Sequence, residues 1–296
     1  MNNKRKIKFT LTAIITVVIF AVLLYAIKYP FNFHKLTNSK EFDTSKDFIQ
    51  FMDVGQADCA LIYSNGYSAL IDVGLPNTAN DLSAQFSDYN ITEFDVVVIS
   101  HLHADHVGGL PKIAENFEIE NLIMPSLLEN SITAAKNGRD IAISSGAKYY
   151  DAKQGMNFEI GEFEITILSD YADKSNENNR SLFIIAEIDD TQFMFTGDAE
   201  TKMEKLLLNE NLDLDCDVLK VSHHGSNTSS SKEFLDAVTP EYAVISVGKD
   251  NIYSHPHQTT LSLLESADAE IYRTDQNGDI TFNVEGKKIS VQTEIH

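Results

Sequence analysis

Between positions 100 and 106 the chain reads Ser-His-Leu-His-Ala-Asp-His, directly after the apolar run 96–99 and before Gly108-Gly109. No other stretch constrains the fold as strongly. On a regular helix these three imidazoles and one carboxylate would point around much of the circumference, whereas at a strand-to-helix turn they converge and can hold two metal ions. Solvated or structural histidines do not need such density. The segment calls for a strand, a turn and a helix, with the polar groups gathered at the turn.

The pattern on either side supplies those elements. Strand-like runs at 48–52, 60–63 and 68–71 open the chain's folded part, the last two joined by the hairpin turn Asn65-Gly66. Beyond residue 79, helices are predicted near 80–88, 108–116, 131–145, 199–209, 231–237 and 258–267, and Ser230 or Ser231 is a natural N-cap for the fifth of these. Strands are predicted near 95–99, 121–124, 163–168, 182–188, 192–196, 217–221, 242–247 and 280–284. The run 96–99 is continuously apolar and 218–221 is so except at Lys220, as in strands covered on both faces. Two strand-rich halves, each flanked by helices, predict a layered α/β/β/α sandwich in one domain over 47–296.

The first 46 residues differ in kind. Lys4, Arg5, Lys6 and Lys8 precede an uncharged run over 9–27, which as a helix spans about 28 Å and so crosses the hydrocarbon layer. The basic flank predicts segment 1–8 in the cytoplasm, a single-pass anchor over 9–27, a tether over 28–46 and the domain outside the cell membrane. A cleaved signal peptide fits less well, because the run exceeds an ordinary signal core and no small-x-small site precedes Tyr29-Pro30. The membrane is thus one expected partner, and no protein partner is implied. Past residue 30 lie all 44 acidic residues but only 18 of the 23 lysines and arginines, a net charge of −26. That charge weighs against broad nonspecific nucleic-acid binding, yet leaves room for a phosphate site whose local field is set by metal ions. Cys59 and Cys216 are too few for a disulfide framework.

Segment 101–106 matches the HxHxDH signature of the metallo-β-lactamase superfamily, and the chain after the tether resembles that family over most of its length. The resemblance implies a metallo-β-lactamase-like four-layer αββα sandwich. It makes His101 and His103 ligands of one metal, Asp105 and His106 ligands of the other, and Asp198, at the end of Phe195-Thr196-Gly197, the bridge between them. The late histidine is His223 or His224. Strand alternation sends their rings to opposite sides, so His223 is taken as the ligand and His224 as a brace or substrate contact. Asp72 corresponds to an early aspartate that braces a ligand histidine.

Four further segments resemble the hydrolase domain of the ComEC competence family: Asp53-Val54-Gly55-Gln56-Ala57-Asp58, Asn178-Asn179-Arg180-Ser181, His223-His224-Gly225-Ser226 and Ser254-His255-Pro256-His257. On that resemblance Asp53, Asn179, Ser226 and His255 join the site as braces or substrate contacts. His257 becomes a proton donor or phosphate contact, and Asp105 is counted as catalytic as well as ligating. Ala57 stands where these relatives carry glycine. No histidine lies between His106 and His223, where standard β-lactamases place a third imidazole on the first metal. Candidates to complete that shell are a water, an asparagine oxygen, His255 and His257.

The expected cofactors are two divalent ions, zinc first and manganese second. The expected reaction is phosphodiester hydrolysis by a hydroxide held between them. Single-stranded DNA is one candidate substrate; wall or teichoic-acid phosphodiesters, as in phosphorylcholine esterases, are another. The rival from a different class is a noncatalytic, metal-stabilised surface binding module, which would need a degraded ligand set.

Overall fold

A computed structural model describes residues 45–171, 173 and 175–295. The predicted anchor over 9–27, the basic segment before it and nearly all of the tether lie outside these residues.

The chain enters as an antiparallel meander of β1 (Asp47–Phe51), β2 (Cys59–Ser64) and β3 (Tyr67–Val73). Asn65 and Gly66 have φ values of 51° and 93°, the left-handed pair that a two-residue hairpin turn demands, so Ser64 faces Tyr67. After β3 the pairing turns parallel. Helix α1 (Ala79–Asp88) leads to β4 (Glu93–Val98), α2 (Ala104–Val107) and α3 (Leu110–Asn116) lead to β5 (Glu118–Met124), and α4 (Thr133–Ser144) leads to β6 (Lys148–Asp151).

A second sheet then forms from antiparallel β7 (Asn157–Ile160), β8 (Phe163–Ser169), β9 (Phe183–Ile188) and β10 (Thr191–Phe195). It continues as parallel β11 (Val218–Lys220), β12 (Tyr242–Ile245) and β13 (Glu270–Arg273), with α5 (Thr201–Leu208), α6 (Lys232–Val238) and α7 (Gln258–Ser266) in the connections. After the single turn α8 (Thr274–Asn277), β14 (Ile280–Glu285) returns to pair with β1, and β15 (Lys288–Thr293) closes the edge. The sheet orders are β15-β14-β1-β2-β3-β4-β5-β6 and β13-β12-β11-β10-β9-β8-β7.

The two sheets pack through one apolar core that contains Ile49, Phe51, Ile62, Ile184, Phe193 and Phe282, with the Phe51 and Phe195 rings 5.7 Å apart. On the far face of the second sheet, Met203, Leu207, Phe234 and Leu264 bring α5, α6 and α7 against Leu219 and Ile245. On the far face of the first, Phe86 of α1 meets Phe94 and Phe117 edge-on at 5.3 and 6.0 Å. Burial on both faces is why Val96, Val97 and Val98 form an unbroken apolar run. The architecture is the α/β/β/α sandwich of the metallo-β-lactamase fold.

The helix predicted over 108–116 begins at Leu110 as α3, and a separate turn, α2, precedes it, the two parted by Gly108-Gly109. A Cβ on Gly109 would collide with the Val73 carbonyl oxygen and one on Gly108 with the Pro76 ring. The two glycines let the histidine-bearing turn press onto the end of β3. Strands β6, β7, β13 and β15 were not predicted, and they are the four outer strands of the two sheets. Edge strands keep one side in solvent and carry too little apolar pattern to read.

Candidate metal centre

The site gathers on loops that leave the ends of β3, β4, β10 and β11. Asp72, buried and left-handed at φ 61°, is its anchor. Its Oδ1 accepts the Ser100 backbone N–H at 2.7 Å, and its Oδ2 accepts the Ser100 hydroxyl at 2.7 Å and His106 Nδ1 at 2.8 Å. One carboxylate thus fixes both the start of the 100–106 turn and the ring at its end.

Two groups of donor atoms meet at Asp198, each with its members within 4.8 Å of one another, and a third such group comprises Asp58, Asp72 and His106. The first comprises His101, His103 and Asp198, with His101 Nε2 3.1 Å from His103 Nδ1 and 3.8 Å from Asp198 Oδ2. The second comprises Asp105, His106, Asp198 and His224. Here His106 Nε2 lies 3.3 Å and His224 Nε2 3.7 Å from Asp198 Oδ1, and His224 Nε2 lies 3.4 Å from Asp105 Oδ2. Asp198 offers one oxygen to each group. Its backbone N–H is held by the Ser181 hydroxyl at 2.9 Å.

The donor chemistry fits divalent cations. His106 Nε2, His224 Nε2 and Asp198 Oδ1 are buried and make no hydrogen bond, a costly arrangement unless a cation takes them together. The opposite nitrogens are engaged: His106 Nδ1 by Asp72, and His224 Nδ1 by the Ser246 carbonyl at 2.8 Å. A carbonyl can only accept, so His224 Nδ1 carries a proton and Nε2 is the nitrogen left for a metal.

Charge points the same way. Burial pushes the His224 pKa down, but Asp198 and Asp58 outweigh it and raise it to about 10. Asp105, despite its burial, is drawn down to about 2 by His224 and His106. The carboxylates therefore create a strong demand for positive charge at this spot. Burial, reinforced by the neighbouring His106, keeps His101 well below the ordinary histidine range and hence neutral, the form that ligates.

Of the two late histidines, His224 and not His223 stands in the second group. Strand β11 ends at Lys220, and residues Ser222–Gly225 form one tight turn in which both His223 (φ 51°, ψ 45°) and His224 (φ 53°, ψ 26°) are left-handed. Strand alternation does not apply to such a turn. His223 points to the rim, with Nε2 3.8 Å from Asp198 Oδ2 and 3.5 Å from Asn178 Nδ2, and Nδ1 3.2 Å from the Thr228 hydroxyl.

Asp53 also differs from its expected place. It is exposed, donates its N–H to Asp279 at 2.7 Å and accepts from Gly55 N at 3.1 Å. The aspartate of that loop that reaches the histidines is Asp58, 3.4 Å from His224 Nδ1, 3.8 Å from His106 Nδ1 and 2.7 Å from Lys220 Nζ. Neither Asp58 nor Lys220 was among the sequence candidates. The signals were there: a second aspartate in the Asp53–Asp58 segment, and a lone lysine inside the apolar run 218–221.

The remaining candidates are distributed between braces and rim. Asn179 donates to Glu200 Oε2 at 3.3 Å and accepts from Glu200 N at 3.2 Å, which secures the loop after Asp198; its neighbour Asn178 is the one beside His223. The Ser226 carbonyl takes the hydroxyls of Ser229 and Thr260, tying its loop to α7. Ser231 caps α6. His255 lies with its ring 5.6 Å from that of His223 and 4.9 Å from that of His257. His257 Nδ1 accepts the Asn227 N–H at 3.1 Å, so its neutral ring carries the proton on Nε2.

The family profile described as Metallo-beta-lactamase superfamily matches residues 52–249, a span that includes every residue of both donor groups. Over 200 residues the chain is 32% identical to ComE operon protein 3 of Bacillus subtilis (strain 168), covering 67% of this chain and 25% of that protein. Over 252 residues it is 28% identical to Recombination protein 2 of Haemophilus influenzae, covering 82% and 30%. The chain thus spans between a quarter and a third of these relatives' length. Among solved structures it is similar to CmlA, a diiron β-hydroxylase from Streptomyces venezuelae (TM-score 0.57, 15% identity, 81% of this chain and 54% of that one). It is also similar to the metallo-β-lactamase fold protein YhfI of Bacillus subtilis (TM-score 0.55, 11% identity, 81% and 100%). At those identities the structures speak for the fold alone, but the profile runs through the histidine turn, the shared aspartate and the late histidine pair: this chain belongs to the metallo-β-lactamase superfamily.

Proposed function

We propose that this chain is a membrane-anchored hydrolase that cleaves phosphodiesters outside the cytoplasm with two divalent cations. The observation that carries the reading is the division of Asp198, one oxygen toward His101 and the other toward His106 and His224. Asp105, His106, His224 and Asp198 would hold one ion; His101, His103 and Asp198 would hold the other. Nitrogen and oxygen donors of this kind suit zinc, with manganese the second choice. Two ions there would supply a nucleophile from water at neutral pH and draw charge from the phosphoryl oxygens.

The chain's own groups do the rest. Asp72 and the Ser246 carbonyl orient the two imidazoles, and Asp105 adds the charge that favours a cation over a neutral guest. His257 is the candidate donor to the departing oxygen, a role that its imidazolium form would fill. The relative named for recombination favours nucleic acid as substrate, and the charge of −26 past residue 30 favours few phosphate contacts at a time.

The detergent-solubilised full chain, loaded with zinc, should hydrolyse bis-p-nitrophenyl phosphate and a single-stranded oligonucleotide, lose both activities to EDTA and leave nitrocefin intact. Nitrocefin cleavage without phosphodiesterase activity would overturn the substrate class. Preference for a phosphorylcholine ester over DNA would redirect it to wall polymers, and metal binding without any turnover would favour the binding module.

The anchor has its own test. Protease added to spheroplasts should digest the domain while a tag ahead of Lys4 stays protected. Recovery of the domain in the cytosol, or of a mature chain beginning near Lys28, counts against it.

A further inference from the structure

Among the described residues, Lys220 is the buried lysine and Arg180 the buried arginine. Arg180 pairs with its near neighbour Glu177. Lys220 lies between the buried Leu219 and Val221 and is 3% exposed; its Nζ meets the equally buried Asp58 Oδ2 at 2.7 Å and donates to the Val221 carbonyl at 3.1 Å. Taking two such charges out of water costs several kcal/mol per ion, and a well-packed apolar pair commonly does as well or better for stability. Stability is therefore a poor reason for this pair.

Its position supplies a better one. The Asp58 carboxylate reaches behind both imidazoles of the second donor group, 3.4 Å from His224 Nδ1 and 3.8 Å from His106 Nδ1. Those nitrogens already have closer acceptors, the Ser246 carbonyl and Asp72, each at 2.8 Å. Asp58 is thus not needed to fix either ring alone. It adds charge shared by the two, on the side away from the bare Nε2 atoms.

We propose that Asp58 and Lys220 act as one positioning unit that sets the cation affinity of the Asp105–His106–Asp198–His224 group, Asp58 supplying negative charge behind both imidazoles and Lys220 limiting it. The inference rests on the two-cation reading above. It makes the two partners unequal. Removal of Asp58 alone leaves an unpaired ammonium behind two cation-binding rings, so repulsion joins the loss of attraction. Removal of Lys220 alone leaves the attraction in place. Removal of both leaves a neutral pocket.

Cobalt(II) titration of the full chain, followed by its visible absorption and by competition with a chelator, reads this directly. Asp58→Asn should weaken binding at one of the two positions by roughly 10- to 100-fold, the usual effect of losing a group behind a metal-ligating histidine. Lys220→Met should bind cobalt at least as tightly as the unaltered chain. The double variant Asp58→Asn/Lys220→Met should bind more tightly than Asp58→Asn. A merely structural pair predicts the reverse ranking, with both single variants losing thermal stability and none recovering affinity. The double variant, free of buried charge, keeps the comparison available if a single variant folds poorly. Unaltered cobalt affinity in Asp58→Asn, or a double variant no better than it, overturns the inference while the two-cation reading stands. A wild-type chain that takes up no cobalt overturns both.

Discussion

Asp198→Ala is expected to strip the centre of about one equivalent of metal and to lower kcat/KM on phosphodiesters by roughly 10³-fold, at the upper end of what loss of one charge-stabilising group costs. Every other member of the two groups serves one position, whereas Asp198 faces His101 with Oδ2 and His106 and His224 with Oδ1. Its loss removes the only full charge from the first group and one of two from the second. The remaining histidines would also be left closer in character to free imidazoles, competing with protons for the same lone pairs. Metal content by plasma emission and steady-state kinetics check the expectation, with far-UV circular dichroism to show that the sandwich persists. Unchanged metal content together with full activity would sink the assignment of Asp198 as the shared ligand.

His257→Ala should reduce turnover about 10²- to 10⁴-fold when the leaving group is a sugar alkoxide, the usual span for general acid catalysis. On bis-p-nitrophenyl phosphate it should matter far less, because p-nitrophenolate departs without a proton. The acid role needs the imidazolium, with a proton on each ring nitrogen, so the Asn227 N–H that now meets His257 Nδ1 must give way as the ring charges; the neutral ring can only hydrogen-bond the departing oxygen through Nε2. Equal losses on the two leaving groups would reject the acid role and leave His257 a contact for substrate.

How much of this was readable from residues alone depends on what kind of signal each feature sends. The turn 100–106 is compact in sequence, and its position after an apolar strand is enough to recognise a metal-binding corner. Asp72 and Asp198 lie at strand ends, where one residue's offset decides little. The late histidines are different: both have positive φ, an unusual state for non-glycine residues, and no pattern of side chains announces it. Asp53 and Asp58 both suit a loop near a metal, and only the fold decides. The Asp58 N–H donates to the Asp105 carbonyl at 3.0 Å, which ties that loop end to the histidine turn. Lys220 is hidden for another reason: a lysine in a strand reads as a solvent-facing residue until its partner, 162 positions earlier in the chain by the numbering of Asp58 and Lys220, is brought beside it.

The two donor groups draw on both halves of the sandwich, residues 101–106 from the first sheet and Asp198 and His224 from the second. An ion gripped from both sides is a covalent-like clasp in all but name. It closes a circuit of about a hundred residues of chain, 92 positions from His106 to Asp198 and 118 from His106 to His224, and closures of that length, when made by a disulfide, restrict the unfolded chain by an amount on the order of 4 kcal/mol. A chelator would then do more than silence chemistry: it would unfasten one half of the protein from the other at the rim where they meet, while the phenylalanine-rich seam between the sheets went on holding them together below.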